Sequence, residues 1–133
     1  MKIFNKDGKM NFVDENNVFV GFDYKKDCCE GFGWRIDLKM PETFEFSQRE
    51  YDESDAQNIG DQGINTEDWV FDTSFIFQRG DSTALDKGGA VSFRLMKDCK
   101  EAGFLTLWNS HNGYYSHGFQ MQEDDLIIHD SSL

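Results

Sequence analysis

Apolar and polar residues alternate through most of the chain, which is the period of β-strands with one buried face. The segment "NVFVGFDYK" places Val18, Val20, Phe22 and Tyr24 on one side. Its predicted partner is "KMNFVD", connected through a turn at Glu15 to Asn17, because Asn accepts the left-handed backbone that hairpins require. The pattern therefore predicts an antiparallel hairpin near the N-terminus.

Further segments repeat this alternation, and "FLTLWNS" and "DLIIH" add two predicted strands. The predicted inward faces of the others are Phe32, Trp34, Ile36 and Leu38 in "FGWRIDL", Trp69, Phe71, Thr73, Phe75 and Phe77 in "WVFDTSFIF", and Val91, Phe93 and Leu95 in "AVSFRLM". About eight strands at regular spacing favour an all-β fold, or a β-rich α+β fold. We expect a single antiparallel β-sandwich or partly closed barrel.

Alternation is lost in "QREYDESDAQNIGDQGINTED", where acids, amides and glycines offer too little apolar area to form a core. We interpret residues 48–68 as an acidic surface loop, and loops of this length often bind ligands or close over sites. A chain of 133 residues is the usual size of one domain. Residues 1–133 are therefore predicted to form a single β-rich domain.

A second hairpin is predicted in "WNSHNGYYSHGF". Asn112 and Gly113 form the dipeptide most typical of a two-residue turn, since both positions adopt positive φ at little cost. This register pairs Trp108 with His117, which would then be a half-buried ring stacked on Trp108. The predicted core face contains Phe104, Thr106, Trp108, Tyr115, His117, Phe119 and Met121.

The opposite face of this hairpin would carry a polar surface patch formed by Asn109, His111, Tyr114 and Ser116. A three-residue loop over 111–113 is also compatible with the sequence. It would bring Asn109, Tyr115 and His117 to one side, with His111 in the turn. We take the four patch residues and His117 as candidate binding residues.

Net charge limits the kinds of partner that the protein can bind. The chain contains 25 Asp and Glu but only 13 Lys and Arg, which gives a formal net charge of -12. Such a surface repels phosphate backbones, so direct nucleic-acid binding is not expected, whereas a basic protein partner is. Solubility alone is the simpler explanation of the charge.

Three cysteines are not the even number that a disulfide framework needs, and no apolar run approaches the length of a membrane span. A cytoplasmic protein without membrane attachment is expected.

Signals for chemistry are weak. The Cys and His residues show no zinc-ligand spacing, and no catalytic signature or cofactor motif is present. We therefore expect no metal, no cofactor, and binding rather than enzymatic activity. Outward Arg35 and Arg94 beside aromatic residues suggest an alternative, a cleft that stacks a base and binds phosphates. Such a cleft would sequester a nucleotide or similar signalling molecule, and it could be formed at the interface of a homo-oligomer. A metal-assisted or His-dependent hydrolase using His111 or His117 is a further alternative.

Two segments, "ENNVFVGFDYKKDCCEGFGW" and "LWNSHNGYYSHGF", together resemble a small uncharacterised domain family of bacteriophage and bacterial proteins. The resemblance spans most of the chain. It implies a phage accessory protein and carries no established activity, so it transfers no catalytic residue. The expected function is non-enzymatic binding that inhibits or sequesters a host defence component through an acidic surface.

Overall fold

The computed structural model describes residues 1–24, 32–38, 66–80, 89–109 and 117–133, and the side chains of 78–80 are excluded from that description. These ranges form nine strands. They are β1 Lys2–Lys6, β2 Lys9–Val13, β3 Val18–Asp23, β4 Phe32–Asp37, β5 Val70–Gly80, β6 Gly89–Lys97, β7 Lys100–Asn109, β8 Gly118–Glu123 and β9 Leu126–Ser132. No helix in the described part of the chain is long and apolar enough to cross a bilayer.

The strands form two antiparallel sheets, a five-stranded sheet of order β1-β2-β3-β8-β9 and a four-stranded sheet of order β4-β7-β6-β5. The predicted all-β sandwich is therefore confirmed, in its two-sheet form rather than as a closed barrel. Residues 48–65 of the predicted acidic loop lie outside the described residues, and the interpretation of 1–133 as one domain stays a prediction. Of that loop, Glu67 and Asp68 are described, and both are exposed.

The predicted N-terminal hairpin is present. β2 pairs with β3 in a register that sets Phe12 opposite Val20, and Asn17 at its turn has a φ of 60°. Val18, Val20 and Phe22 are buried, as the alternation predicted. Tyr24 is partly buried and packs against the same core.

β1 was not predicted, although the sequence contains a signal for it. Asp7 and Gly8 have φ values of 54° and 76°, and Lys6 pairs with Lys9 across them. These are the backbone angles of the two-residue turn for which Asp-Gly is a preferred dipeptide. The strand itself is mostly exposed, so its alternation is weak and the turn was the only strong indication.

The main core lies between the two sheets. The five-stranded sheet contributes Phe12, Val18, Val20, Phe22, Phe119 and Met121, and the four-stranded sheet contributes Phe32, Trp34, Ile36, Phe71, Val91, Phe93, Leu95, Leu105 and Leu107. Many of the rings meet edge to face, for example Phe12 with Trp34 at 5.2 Å between centroids. Edge-to-face contacts of this kind add to the hydrophobic contribution of burial.

The predicted pairing between β7 and β8 is wrong. Trp108 lies opposite Gly33 and Ala90 rather than His117, because β7 occupies an inner position of the four-stranded sheet. β8 belongs to the other sheet, between β3 and β9. The chain therefore changes sheets between Asn109 and His117. Residues 110–116, on which both predicted turn registers depend, lie outside the described residues.

The predicted inward face of β7 is also wrong. Leu105 and Leu107 belong to the core between the sheets, whereas Phe104 and Thr106 point to the opposite side. Both sides are buried, since Phe104 is 4% exposed and Thr106 is 0% exposed. A strand that is buried on both faces has apolar residues at both parities, so its alternation does not identify the core side.

Two departures from strict alternation affect β5 and the end of β4. Phe71 pairs with Leu95 and Ile76 with Phe93, with a register shift between them. This irregularity reverses the parity of the strand, so Ile76 packs against the core while Phe77 is 45% exposed. Leu38, predicted inward, lies beyond the end of β4 and is 55% exposed.

Gly103 is a point of close approach between the four-stranded sheet and Trp69. A Cβ atom there would lie 2.6 Å from the main-chain oxygen of Asp37 and 2.8 Å from a ring carbon of Trp69. We expect Gly103→Ala to lower the free energy of unfolding by about 1–3 kcal/mol, because backbone and a packed ring must move. Urea denaturation measures this loss.

Gly21→Ala is the matched control, since the nearest atom to its added Cβ would be Asn11 Oδ1 at 3.7 Å. That substitution is expected to leave stability unchanged or to raise it slightly. Equal losses for the two variants would show that the cost at Gly103 does not come from steric overlap.

Candidate functional site

One end of the sandwich gathers exposed carboxylates from both sheets. The β2–β3 and β8–β9 turns meet there, where Asp124 N donates to the main-chain oxygen of Asn17 at 3.3 Å. The start of β5 lies beside the end of β6, because Val70 pairs with Met96. The exposed carboxylates of these segments, which we call the acidic end, are Glu15, Glu67, Asp68, Asp98, Glu101, Glu123, Asp124 and Asp125.

Positive charge does not balance the acidic end. Among the described residues, its eight carboxylates are accompanied by five positive groups: the exposed side chains of Lys2, Lys97 and Lys100, the Met1 ammonium, and Arg94, which pairs with Glu101. At the opposite end of the five-stranded sheet, the β1–β2 turn instead places Lys6 and Lys9 around Asp7. An excess of one sign on one part of a surface gives a local potential that attracts ligands of opposite charge.

Asp14 connects the two sheets beneath the acidic end. Its side chain is 5% exposed, and its Oδ1 accepts hydrogen bonds from the main-chain N–H of Asn16 at 2.9 Å and Val18 at 3.0 Å. Its Oδ2 accepts from the N–H of Phe71 at 2.8 Å. The local pair is an Asx turn that "DENNV" could have indicated, whereas no local signal predicts the contact with Phe71.

His117 is buried at the other end of the sandwich. It is 1% exposed, and its ring stacks on Phe32 with 4.1 Å between centroids. Nδ1 lies 2.7 Å from the main-chain oxygen of Asp23. Because a carbonyl oxygen only accepts, Nδ1 carries the proton and donates it. The predicted half-burial against Trp108 is therefore wrong, since the ring packs against Phe32 from the opposite sheet.

Asn109 is brought next to His117 by the main chain of Leu133. Asn109 Nδ2 donates to the Leu133 oxygen at 3.0 Å, and His117 exchanges two main-chain hydrogen bonds with the same residue, at 3.0 and 2.8 Å. Asn109 is 1% exposed, so its predicted place in a surface patch is wrong. Its hydrogen bond, like the ring stacking of His117, joins elements of the two sheets.

The other patch residues, His111, Tyr114 and Ser116, lie outside the described residues. A binding role for them stays a prediction. Burial of Asn109 and His117 makes both of them connections within the fold.

Arg35 and Arg94 lie on the same outer face of the four-stranded sheet. Thr106 pairs with Arg35 on one side and Ser92 on the other. The hydroxyls of Ser92 and Thr106 are buried and hydrogen-bonded to each other at 2.8 Å. Arg35 forms an ion pair with Asp37.

Arg94 is held by both charge and a ring. Its Nη1 lies 3.6 Å from Asp72 Oδ2, its Nε lies 3.5 Å from Glu101 Oε1, and its guanidinium carbon lies 4.1 Å from the centroid of Phe75. The Ser74 hydroxyl, 2.6 Å from Asp72 Oδ1, is the main reason that the pKa of Asp72 lies below its ordinary value. Burial opposes this lowering of the pKa, while the Ser74 N–H and Arg94 add to it.

Carboxylates thus accompany both arginines that were candidate phosphate ligands, and a phosphate would have to compete with them. Within the described ranges, no group of three or more His, Cys, Asp or Glu residues is arranged to hold a metal ion. Comparisons with protein-family models, curated proteins and solved structures found no match to this chain. The resemblance to a phage and bacterial domain family stays a prediction.

Proposed function

We propose that this protein is a non-enzymatic binding protein whose acidic end contacts a basic surface of a partner protein. The supporting observation is the gathering of eight exposed carboxylates, with five positive groups, at one end of the sandwich. In keeping with the phage resemblance, the partner would be a host defence component in the cytoplasm, which the protein inhibits or sequesters.

The physical basis of the proposal is electrostatic attraction over more than contact distance. A patch of one sign orients an oppositely charged partner as it approaches and raises the association rate. Salt screens this attraction, with a Debye length of about 10 Å at 0.1 M. Affinity for the partner should therefore fall as ionic strength rises.

The alternatives receive less support from the geometry. Nucleotide capture requires arginines available to phosphate, whereas Arg94 contacts Asp72, Glu101 and Phe75, and Arg35 pairs with Asp37. A His-dependent hydrolase requires a base that substrate or water can reach. His117 is buried and uses Nδ1 to bind a main-chain oxygen, which does not favour that role.

A matched pair of charge reversals tests the proposal. Asp124 and Asp7 each follow a strand in a two-residue turn, with φ values of 52° and 54°, so Lys imposes similar backbone strain at both. The partner would first be captured from bacterial lysate, and its affinity then measured by calorimetry. Asp124→Lys at the acidic end is expected to weaken binding about 3- to 10-fold, and Asp7→Lys is not.

The same titrations at low and high salt complete the test. Affinity for the captured partner should decrease steeply as salt increases. Binding that does not depend on salt, or that responds equally to both reversals, would overturn the assignment of the acidic end as the contact surface.

A further inference from the structure

We infer that a partner docks at the edge of β9 that no described strand covers, by adding an extended basic and apolar segment to the five-stranded sheet as a further strand. This inference rests on the proposed function and specifies the chemistry of the partner segment. Edge strands present unpaired main-chain groups and bind extended peptides in this way, with side-chain contacts providing the specificity.

The register identifies which main-chain groups face outward. His117 and Leu133 exchange both main-chain hydrogen bonds, and antiparallel pairs alternate between bonded and non-bonded positions. Ser131 and His129 therefore bond to β8, while the N–H and C=O of Asp130 and Ser132 point away from it. Among the described strands, β9 pairs with β8 alone. Asp130 and Ser132 can thus bond to an added strand.

The side chains near this edge combine exposed apolar surface with negative charge. Leu126 and Ile127 are 69% and 51% exposed, and they directly follow the acidic β8–β9 turn. Glu123, Asp124, Asp125 and Asp130 are the charged side chains of 118–133, and that segment contains no Lys or Arg. A strand alternating basic and apolar residues complements both features.

The other described edges are less suitable for such a segment. β1 carries Lys2 and Lys6, which would repel a basic strand and are typical of protected edges. β4 has mostly buried side chains, and the register shift in β5 interrupts a regular ladder.

Charge also decides between a partner and a second copy of this chain. Two β9 strands side by side would bring the carboxylates of one copy against those of the other, and like charges opposed across strands are destabilising. We therefore assign the edge to a basic partner rather than to self-association.

Two synthetic peptides of equal charge test the docking mode on the full chain. One consists of four Lys-Val repeats, and the other has the same sequence with every main-chain amide nitrogen methylated, which removes the N–H groups that strand addition requires. In fluorescence anisotropy at low salt, the Lys-Val peptide is expected to bind at least 10-fold more tightly. Amide hydrogen exchange should then show protection of Asp130 and Ser132.

A variant pair separates main-chain hydrogen bonding from charge. Asp130→Pro removes the outward N–H without breaking a bond to β8, whereas Asp130→Asn removes only the charge. We expect Asp130→Pro to bind the Lys-Val peptide at least 10-fold more weakly than Asp130→Asn does, with folding checked by thermal unfolding. If Asp130→Pro does not fold, amide protection in the unmodified chain decides the question.

Failure of this inference can be distinguished from failure of the proposed function. Equal, salt-dependent binding of both peptides, weakened by Asp124→Lys, would overturn strand addition while leaving the acidic end as a contact surface. Absence of amide protection at Asp130 and Ser132 when the peptide is bound would also overturn strand addition. If neither peptide binds, the β9 docking mode is wrong, and the partner titrations test the acidic end independently.

Discussion

Asp14→Ala is expected to lower the free energy of unfolding by about 3–5 kcal/mol, the largest loss that we predict for one substitution at this end of the sandwich. The carboxylate accepts hydrogen bonds from three main-chain N–H groups, and those of Val18 and Phe71 are buried. Each buried donor left without a partner costs about 1–3 kcal/mol. Urea denaturation monitored by tryptophan fluorescence measures the loss.

Two further variants show whether the loss comes from these hydrogen bonds. Asp14→Asn keeps the shape of the side chain but replaces one accepting oxygen with an NH2 group, which would face a main-chain N–H. An intermediate loss is therefore expected. Glu15→Ala alters the adjacent exposed carboxylate and should leave stability within about 0.5 kcal/mol of the unmodified chain. An Asp14→Ala variant as stable as Glu15→Ala would show that the link between the sheets contributes little.

His117→Ala is expected to cost about 3–5 kcal/mol, the range for removing a buried ring. The ring stacks on Phe32 and tilts against Phe22 at 5.9 Å between centroids. Its removal would leave a cavity between the sheets and would take away the hydrogen bond from Nδ1 to the main-chain oxygen of Asp23. Thermal and urea unfolding both measure the effect.

His117→Phe distinguishes the two contributions of this residue. It preserves a ring against Phe32 but cannot donate to the Asp23 oxygen, so a loss of about 1–3 kcal/mol is expected. His129→Ala, on edge strand β9 and only partly buried, should cost less than His117→Ala. If His117→Ala and His129→Ala unfold alike, the role assigned to the buried ring is wrong.

Asp14 and His117 are both buried polar residues that link the two sheets. Asp14 connects the sheets beneath the acidic end, and His117, with Asn109, connects them at the other end. Buried polar groups whose partners are satisfied help to specify one packing of a core. The proposed binding surface is formed by other residues, so His117→Phe should bind the Lys-Val peptide like the unmodified chain.

The alternation of apolar and polar residues predicted the buried face correctly where a strand buries one face and its partner follows directly in the chain. Val18, Val20 and Phe22 were predicted inward and are buried, and Asn17 forms the left-handed turn expected of it. In such a segment, the alternation of side chains directly reflects which face is dry. Val91, Phe93 and Leu95 were also assigned correctly, although β6 buries Ala90 and Ser92 on its other face as well.

Predictions failed where the outcome depended on residues distant in sequence. "WNSHNGYYSHGF" has a strong hairpin signal, yet Trp108 and His117 lie in different sheets, because β7 and β8 each pair with other strands. The register shift in β5 had no local signal that outweighed its alternation. Of the candidate binding residues, Asn109 and His117 are buried, and they make structural contacts that a period-2 pattern cannot predict.

The sequence by itself determined that the chain is β-rich, strongly acidic and organised around aromatic strands, since the side-chain period and net charge are local or summed properties. Tertiary structure alone decided the division into two sheets, the partners of β7 and β8, and the contact from Asp14 to Phe71. It also gathered carboxylates from three separate turns at one end of the sandwich. The physical reason is that strand pairing is chosen by burial and hydrogen bonding between distant segments, which neighbouring residues do not encode.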